Sequence, residues 1–290
     1  MPVPYQFFSP TDAARVCKLQ FTARQVVEGV ITGQHKSPHK GFSVEFSEHR
    51  EYVPGDEIRH LDWRAYARSD RYYVKLYEQE TNLRATLVLD TSASMGFGNK
   101  IDYARHLAAC IAYLLSTQQD LAGLAAVDES IKFEMPAGSS PAHLDRLFRA
   151  MEAIEAGSGT DLPNQLHGLS ERLPRRSLVI MLSDLWVEPG DLVKALQHLR
   201  YRKHQGMMIH LLDPAELDLP YDRMLTFQDL ETREKIQVDP TELREAYKKE
   251  VEQYLAQIRR ACTDSDVEYH TILTSEPYEK ALVRLLSRRS

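Results

Sequence analysis

Apolar residues recur along most of the chain in two patterns, one typical of strands and one typical of helices. Short, nearly continuous apolar runs indicate strands buried on both faces, and apolar positions three and four residues apart indicate helices. From residue 83 onward the two patterns alternate, which predicts an α/β fold with a mostly parallel, doubly wound sheet. The predicted strands cover 85–90, 121–127, 130–135, 178–184, 207–212, 224–229, 234–238 and 267–273, and the predicted helices cover 102–116, 141–154, 162–173, 191–204, 241–260 and 278–286.

The first 80 residues follow a different pattern. Ser9 and Pro10 form a helix-start signal, and apolar positions at helical spacing continue to Val30, which predicts an N-terminal helix. Alternating residues at 42–46 and 72–77 predict two short strands on either side of a charged segment. We therefore expect two parts: residues 1–80, in which this helix and β segment pack on the main domain, and residues 81–290, the α/β domain.

Three loops carry oxygen-bearing side chains at positions that suit a metal ion. The apolar run 85–89 ends in D-x-S-x-S, with Asp90, Ser92 and Ser94, and a second apolar run, 178–182, is followed by Asp184. Thr160 lies in a third loop, between two predicted helices. Carboxylate and hydroxyl oxygens are suitable ligands for Mg²⁺ or Mn²⁺, and loops at the carboxyl ends of strands meet at one edge of a sheet. A turn followed by a helix cap would also explain the aspartate and the serines.

This arrangement resembles the metal-ion-dependent adhesion site of von Willebrand factor A domains. In that family D-x-S-x-S follows the first strand, a second loop supplies a threonine, and an aspartate follows a later strand. The resemblance implies a Rossmann-type fold in which the hydroxyls of Ser92, Ser94 and Thr160 bind Mg²⁺ or Mn²⁺. It also implies that Asp90 and Asp184 act directly or through water, and that one metal position receives an acidic residue of a partner protein.

A second resemblance covers at least residues 33–184. Motifs such as Y-V-P-G-D at 52–56 and R-H-L-D-W at 59–63 are similar to those of the bacterial "domain of unknown function 58" family. That resemblance implies an adaptor that works with a MoxR-type AAA+ ATPase in chaperone-like maturation or assembly of other proteins. A non-enzymatic role is the leading hypothesis. The alternative is a metal-dependent hydrolase that uses the loop of Asp90 and Ser92.

Two surfaces are candidates for partner binding. One surrounds the metal loop, where Phe97 could supply an apolar anchor. The other is the charged segment at 50–71, in which basic and acidic residues alternate around an aromatic pair. This segment is explained either by an internal ion-pair network or by a docking surface, since arginine and tryptophan are favoured at interfaces. Its candidate docking residues are Arg59, Asp62, Trp63, Arg64 and Arg68.

Composition narrows the classes of partner and compartment. The formal net charge of −6 over 290 residues argues against a nucleic-acid-binding protein, which usually carries a basic surface. No apolar run approaches the roughly 20 residues of a membrane-spanning helix, and residues 1–10 show no secretory signal, so we expect a cytoplasmic protein. The glycines do not form a Walker or dinucleotide-binding loop, which argues against hydrolysis of ATP by the chain itself.

Overall fold

The computed structural model describes residues 45–53, 61–69, 71–78, 83–157, 159–230 and 234–287. The chain divides into two compact units, one formed by Ile31–Asn82 and one formed by Met1–Val30 together with Leu83–Ser290. The predicted N-terminal helix and most of the first predicted strand lie outside the described residues.

The smaller unit contains a two-stranded antiparallel sheet and a short helix. Strand β1 (Glu45–Glu51) pairs with β2 (Tyr73–Glu78), and helix α1 (Trp63–Ser69) lies between them in sequence. The predicted strand at 42–46 ends too early, because β1 continues through a charged stretch that has no apolar alternation. Backbone pairing with β2, rather than burial of a repeating apolar face, determines where this strand ends.

The larger unit is built on a six-stranded sheet with the order β10-β7-β6-β3-β4-β5. All neighbouring strands are parallel except β4 and β5, which form the predicted hairpin. The α/β fold with a mostly parallel sheet is therefore confirmed. The strands are β3 (Arg84–Asp90), β4 (Leu121–Val127), β5 (Ile131–Gly138), β6 (Leu178–Ser183), β7 (Gln205–Leu212) and β10 (Glu268–Leu273), and β8 (Leu225–Gln228) and β9 (Lys235–Val238) form a separate hairpin.

Helices cover both faces of this sheet. Within the described residues, none of them is long and apolar enough to cross a membrane. The short helix α6 was not predicted, whereas the six longer helices lie at the expected places. The helices of this unit are α2 (Lys100–Thr117), α3 (Pro141–Glu152), α4 (Leu162–Arg172), α5 (Pro189–Tyr201), α6 (Pro214–Asp218), α7 (Pro240–Asp264) and α8 (Tyr278–Ser287).

The core explains why the central strands are so apolar. Nearly every residue of β3, β4 and β6 is buried, because α4, α5 and α7 pack on one face of the sheet while α2 packs on β3 and β4. Val88, Met181, Leu166, Leu196 and Ile258 belong to one continuous apolar cluster that joins the strands to the first three of these helices. This rigid layer fixes the positions of the loops at its edges.

His204 joins two elements at the end of the sheet where β6 and β7 begin. Its Nε2–H donates to the carbonyl of Ser170 at 3.0 Å, and its Nδ1 accepts the backbone N–H of Ser177 at 3.3 Å. This arrangement uses the neutral imidazole, because a backbone N–H can only donate to an unprotonated ring nitrogen. Burial lowers the pKa of His204 below its ordinary value of 6.5.

His204→Gln is expected to make the protein's stability less dependent on pH below about pH 6.5. In that range the unfolded chain binds a proton on the imidazole that the folded protein does not bind, so wild-type stability falls as the pH falls. His204 contributes up to about 1.4 kcal/mol per pH unit to the slope of unfolding free energy against pH, and the variant should lack this contribution. Urea unfolding at several pH values measures it, and equal slopes in the two proteins would contradict the assignment.

A candidate metal centre at the carboxyl edge of the sheet

The candidate metal residues lie where the strand order of the sheet reverses. From β3 the chain passes through α2 to β4 on one side, and it later enters β6 on the other side of β3. In open α/β sheets such a reversal leaves a crevice at the carboxyl ends of the strands, where ligands usually bind. Leu89 pairs with Leu182 in the register of β3 and β6, which brings the ends of these strands, Asp90 and Ser183, together.

Asp90 is almost fully buried, and both of its carboxylate oxygens accept hydrogen bonds. Oδ1 accepts the backbone N–H of Ser92 at 2.9 Å, and Oδ2 accepts the hydroxyl of Ser183 at 2.5 Å. The same Ser183 oxygen accepts the backbone N–H of Leu185 at 2.8 Å. The end of β6 therefore fixes the orientation of the carboxylate that ends β3.

The two predicted serine ligands lie side by side. The Oγ atoms of Ser92 and Ser94 are 3.0 Å apart and share a hydrogen bond, because a single 3-10 turn, Ala93–Gly96, follows Ser92 directly. Ser92 is fully buried, whereas Ser94 is half-buried. Each hydroxyl oxygen has two lone pairs, so one can still face a cation while the hydrogen bond is kept.

The third loop is attached to the first by its backbone. The N–H of Gly157 donates to the carbonyl of Thr91 at 2.7 Å, and the N–H of Asp161 donates to the carbonyl of Asp128 at 3.2 Å. Thr160 lies between these two anchor points. Its Oγ1 is buried and has no hydrogen-bond partner among the described residues. An unpartnered buried hydroxyl costs free energy, which a bound cation would recover.

Asp184 has a buried cationic partner that the sequence did not reveal. The ammonium of Lys100 lies 2.6 Å from Asp184 Oδ2, and it also bonds to Oε1 of Glu216. Glu216 belongs to the capping box of α6, in which its other oxygen accepts the N–H of Asp213 at 2.8 Å. The indole N–H of Trp186 also points to Glu216, at 3.4 Å. Lys100 therefore links the loops after β6 and β7.

A glycine allows the loop before Lys100 to approach α6. Gly98 has a positive φ of 59°, a conformation that residues with a side chain adopt at a cost. A Cβ at this position would also collide with the carboxylate of Asp213, the N-cap of α6. Glycine at 98 therefore brings the start of α2, with its lysine, within reach of Asp184 and Glu216.

The surroundings of Asp90 disfavour the negative charge on its carboxylate. Burial first, and then the nearby negative charge of Asp184, raise the pKa of Asp90 from its ordinary value of 3.8 to about 6. Asp90, Asp184 and Glu216 provide three carboxylates, and Lys100 provides one positive charge. A divalent cation would offset the excess negative charge and return the pKa of Asp90 to lower values.

The residues present fit Mg²⁺ or Mn²⁺ by three criteria. Every predicted ligand offers oxygen, the net charge around Asp90 and Asp184 is negative, and Thr160 contributes a buried hydroxyl that has no described protein partner. The hydrogen bond from Lys100 to Asp184 is to Oδ2, so Oδ1 is the oxygen that would face an ion. The structure places Asp90, Ser92 and Ser94 in one loop, attaches the Thr160 loop to it, and places Asp184 after the adjacent strand.

Sequence comparison assigns the chain to a family. The family described as "Protein of unknown function DUF58" matches residues 48–257. The chain belongs to this family. It is 27% identical over 289 residues to uncharacterized proteins of Mycobacterium bovis and Mycobacterium tuberculosis, with 97% of this chain and 90% of each relative covered.

Solved structures of other proteins match part of this chain. An aerotolerance-related membrane protein from Bacteroides fragilis is 14% identical, with a TM-score of 0.50. The match covers 72% of this chain and 100% of that chain. The SpRpn10 VWA domain is 13% identical, with a TM-score of 0.39, and the match covers 69% of this chain and 94% of that domain. The Bacteroides structure supports the α/β fold for this DUF58 protein.

The candidate docking residues of this DUF58 protein differ in exposure. Phe97 is half-buried, and its ring centre lies 5.7 Å from the ammonium of Lys100. In the smaller unit, Trp63 is 59% exposed and Arg68 is exposed, whereas Asp62 is buried and accepts the N–H of Ala65 at the start of α1. Asp62 thus has a structural contact. Arg59 lies outside the described residues, and Arg64 is described only as part of α1.

Lys100 and Glu216 are the residues near the site that sequence reasoning missed. One signal could have identified Lys100: it is the first residue of α2, where the helix dipole disfavours a cation. The dipole effect is small, and it is the full burial of Lys100 that requires nearby carboxylates. Which carboxylates these are follows only from the fold, because Asp184 and Glu216 are 84 and 116 residues away along the chain.

Proposed function

We propose that this DUF58 protein is a protein-binding adaptor that holds Mg²⁺ or Mn²⁺ at Asp90, Ser92, Ser94, Thr160 and Asp184. The bound ion would supply a strong positive charge with a position for an acidic residue of a partner protein. The buried, unpartnered Oγ1 of Thr160 is the observation that carries the proposal. An aspartate that merely caps a turn would explain the hydrogen bonds of Asp90, but it would leave this hydroxyl unexplained.

The proposed partner is a MoxR-type AAA+ ATPase, and the proposed role is chaperone-like maturation or assembly of other proteins. The resemblance to a family whose members are typically encoded beside such ATPases supports this partner. We place its contact at the rim of the metal centre, with the metal capturing a carboxylate and Phe97 adding apolar contact. Because the Phe97 ring also lies over Lys100, a partner there would touch a side chain that belongs to the network around Asp184.

Thr160→Val is expected to abolish metal-dependent partner binding without changing the stability of the metal-free protein. Valine has nearly the same shape, and no described protein hydrogen bond is lost because Oγ1 makes none. Purified wild type should retain the host's MoxR-type ATPase on a column in Mg²⁺ and release it in chelator. The variant should fail to retain it in either buffer.

Thr263→Val is the matched control, since Thr263 is exposed on α7 and its hydroxyl donates to the carbonyl of Arg259 in the same helix at 2.9 Å. It should behave like wild type. If Thr160→Val retains the ATPase as well as wild type does, the metal rim does not bind it. If Arg68→Glu alone weakens retention, the charged segment holds the ATPase and the metal rim is left for the client protein.

The second candidate function is a metal-dependent hydrolase. It is favoured by a groove beside the Thr160 loop, which is lined by Asp161, Trp186 and Glu188 among others. Asp161 and Glu188 could act as a general base on a metal-bound water. Metal-dependent ester hydrolysis that is lost in Thr160→Val and kept in Thr263→Val would support this function over the adaptor.

A further inference from the structure

A cluster of side chains of the kinds that can bind a metal ion lies on the helices that follow the candidate metal centre. His167 and Glu171 lie one turn apart on α4, and His198 lies on the adjacent helix α5. One donor atom from each of these residues lies within 4.8 Å of the other two. Residues four positions apart on a helix point the same way, so α4 presents two donors to the third on α5.

The contacts within this cluster are close and organised. His198 Nε2 lies 2.7 Å from Glu171 Oε1, and the rings of His167 and His198 are stacked with their centres 3.7 Å apart. Arg202 contacts the other carboxylate oxygen of Glu171, at 3.3 Å. A surface network of hydrogen bonds accounts for the pairs with Glu171. The second imidazole stacks on the first and places a third donor atom within 4.8 Å of the other two. One ring must turn about its side-chain bonds for the lone pairs of both rings to face one ion.

We propose that His167, Glu171 and His198 form a binding site for a borderline divalent metal ion, and that this ion is Zn²⁺. Two nitrogen donors and one carboxylate oxygen are a common zinc set, and three protein ligands leave a fourth position open for water. Mg²⁺ prefers oxygen ligands alone. This site therefore differs in metal class from the oxygen-only centre at Asp90.

The surrounding residues suit this role. Arg202 contacts Oε2 of Glu171 and leaves Oε1 for the ion, so it would orient the carboxylate as an outer-shell partner. When the ion binds, the proton must leave Nε2 of His198, because the metal takes the lone pair of that nitrogen. The ion would join α4 to α5. His167 also lines the groove beside Thr160, so the joined helices form one wall of that groove.

Titration of chelator-treated full-length protein with ZnCl₂ tests the proposal near neutral pH. Wild type should bind one more Zn²⁺ than His198→Ala, and Glu171→Gln should weaken this site by at least about tenfold. His106→Ala is the matched control, because His106 lies on α2 and stacks on Tyr278; it should bind as many ions as wild type. Millimolar Mg²⁺ should leave the zinc bound.

Two further measurements keep the test independent of histidines elsewhere in the chain. Co²⁺ substituted for Zn²⁺ should give a visible absorption band that His198→Ala loses, and Zn²⁺ should raise the melting temperature of wild type but not of that variant. Equal zinc stoichiometry and affinity in wild type, His198→Ala and Glu171→Gln would overturn the proposal. So would loss of the same zinc ion in His106→Ala.

Discussion

Lys100→Met is expected to destabilise the protein by about 3–5 kcal/mol in chelator, and Mg²⁺ is expected to recover part of that loss. Lys100 is fully buried, and its ammonium is the cation that contacts both Asp184 and Glu216. Its removal leaves the buried carboxylate of Asp184 and the partly buried carboxylate of Glu216 without their cation, close to a third carboxylate at Asp90. Methionine keeps the length and packing of the side chain, so the effect reports charge rather than a cavity.

The measurement is urea unfolding of both proteins, with excess chelator and with Mg²⁺. Lys194→Met is the control, because Lys194 forms an exposed ion pair with Asp191 at 2.7 Å on the surface of α5. This variant should barely change stability in either buffer. If Mg²⁺ stabilises Lys100→Met no more than it stabilises wild type, the ion does not share the charge environment of Asp184. That result would count against Asp184 as a metal ligand.

The fold of the larger unit was predictable because its signals are local and strong. The runs in β3 and β6 are apolar throughout, which is required of parallel strands covered on both faces. Helix α2 begins two residues before its predicted start and ends one residue after its predicted end. Helix α6 was missed because it has only five residues, and its capping box depends on Asp213 and Glu216 rather than on an apolar repeat.

The candidate site was predictable only in part, for a different physical reason. Asp90, Ser92 and Ser94 follow one strand within a short motif, and Asp184 follows another strand. Loops at the carboxyl ends of parallel strands meet at one edge of the sheet, so the sequence predicts that these four residues lie near one another. The countercharge is not local. Lys100 meets Glu216 only because β7 and β3 are held in one sheet on either side of β6, and no spacing along the chain encodes that contact.

The smaller unit shows the limit of pattern-based prediction. Its strand β1 is charged for most of its length, and its order comes from pairing with β2. Burial of Val74 and the stacking of Tyr66 on Tyr72, with ring centres 4.5 Å apart, add a small amount of packing. A unit with so little apolar periodicity offers few signals for its boundaries.

Asp90→Asn is expected to weaken Mg²⁺ binding by more than about 100-fold while leaving the metal-free protein as stable as wild type or more stable. The amide oxygen can still accept the N–H of Ser92, and the amide NH₂ can donate to Oγ of Ser183 in place of the bond that Oδ2 accepts, which keeps the loop in place. The pKa of Asp90 is about 6, so at neutral pH the wild-type carboxylate is ionised. Burial and the negative charge of Asp184 make this ionised form unfavourable in the folded protein. The amide avoids that cost, and its stability advantage in chelator should shrink as the pH falls below about 6.

Calorimetric titration with MgCl₂ measures the affinity, and urea unfolding in chelator measures the stability. Asp120→Asn is the matched control, because this half-buried carboxylate also accepts a backbone N–H, that of Leu83 at 2.8 Å, and lies before β4 at the opposite end of the sheet. It should bind Mg²⁺ as wild type does. Equal affinity in wild type and Asp90→Asn would remove Asp90 from the metal site. A large loss of stability in chelator would instead identify Asp90 as a structural cap, whose charge stabilises the turn after β3 rather than binding a cation.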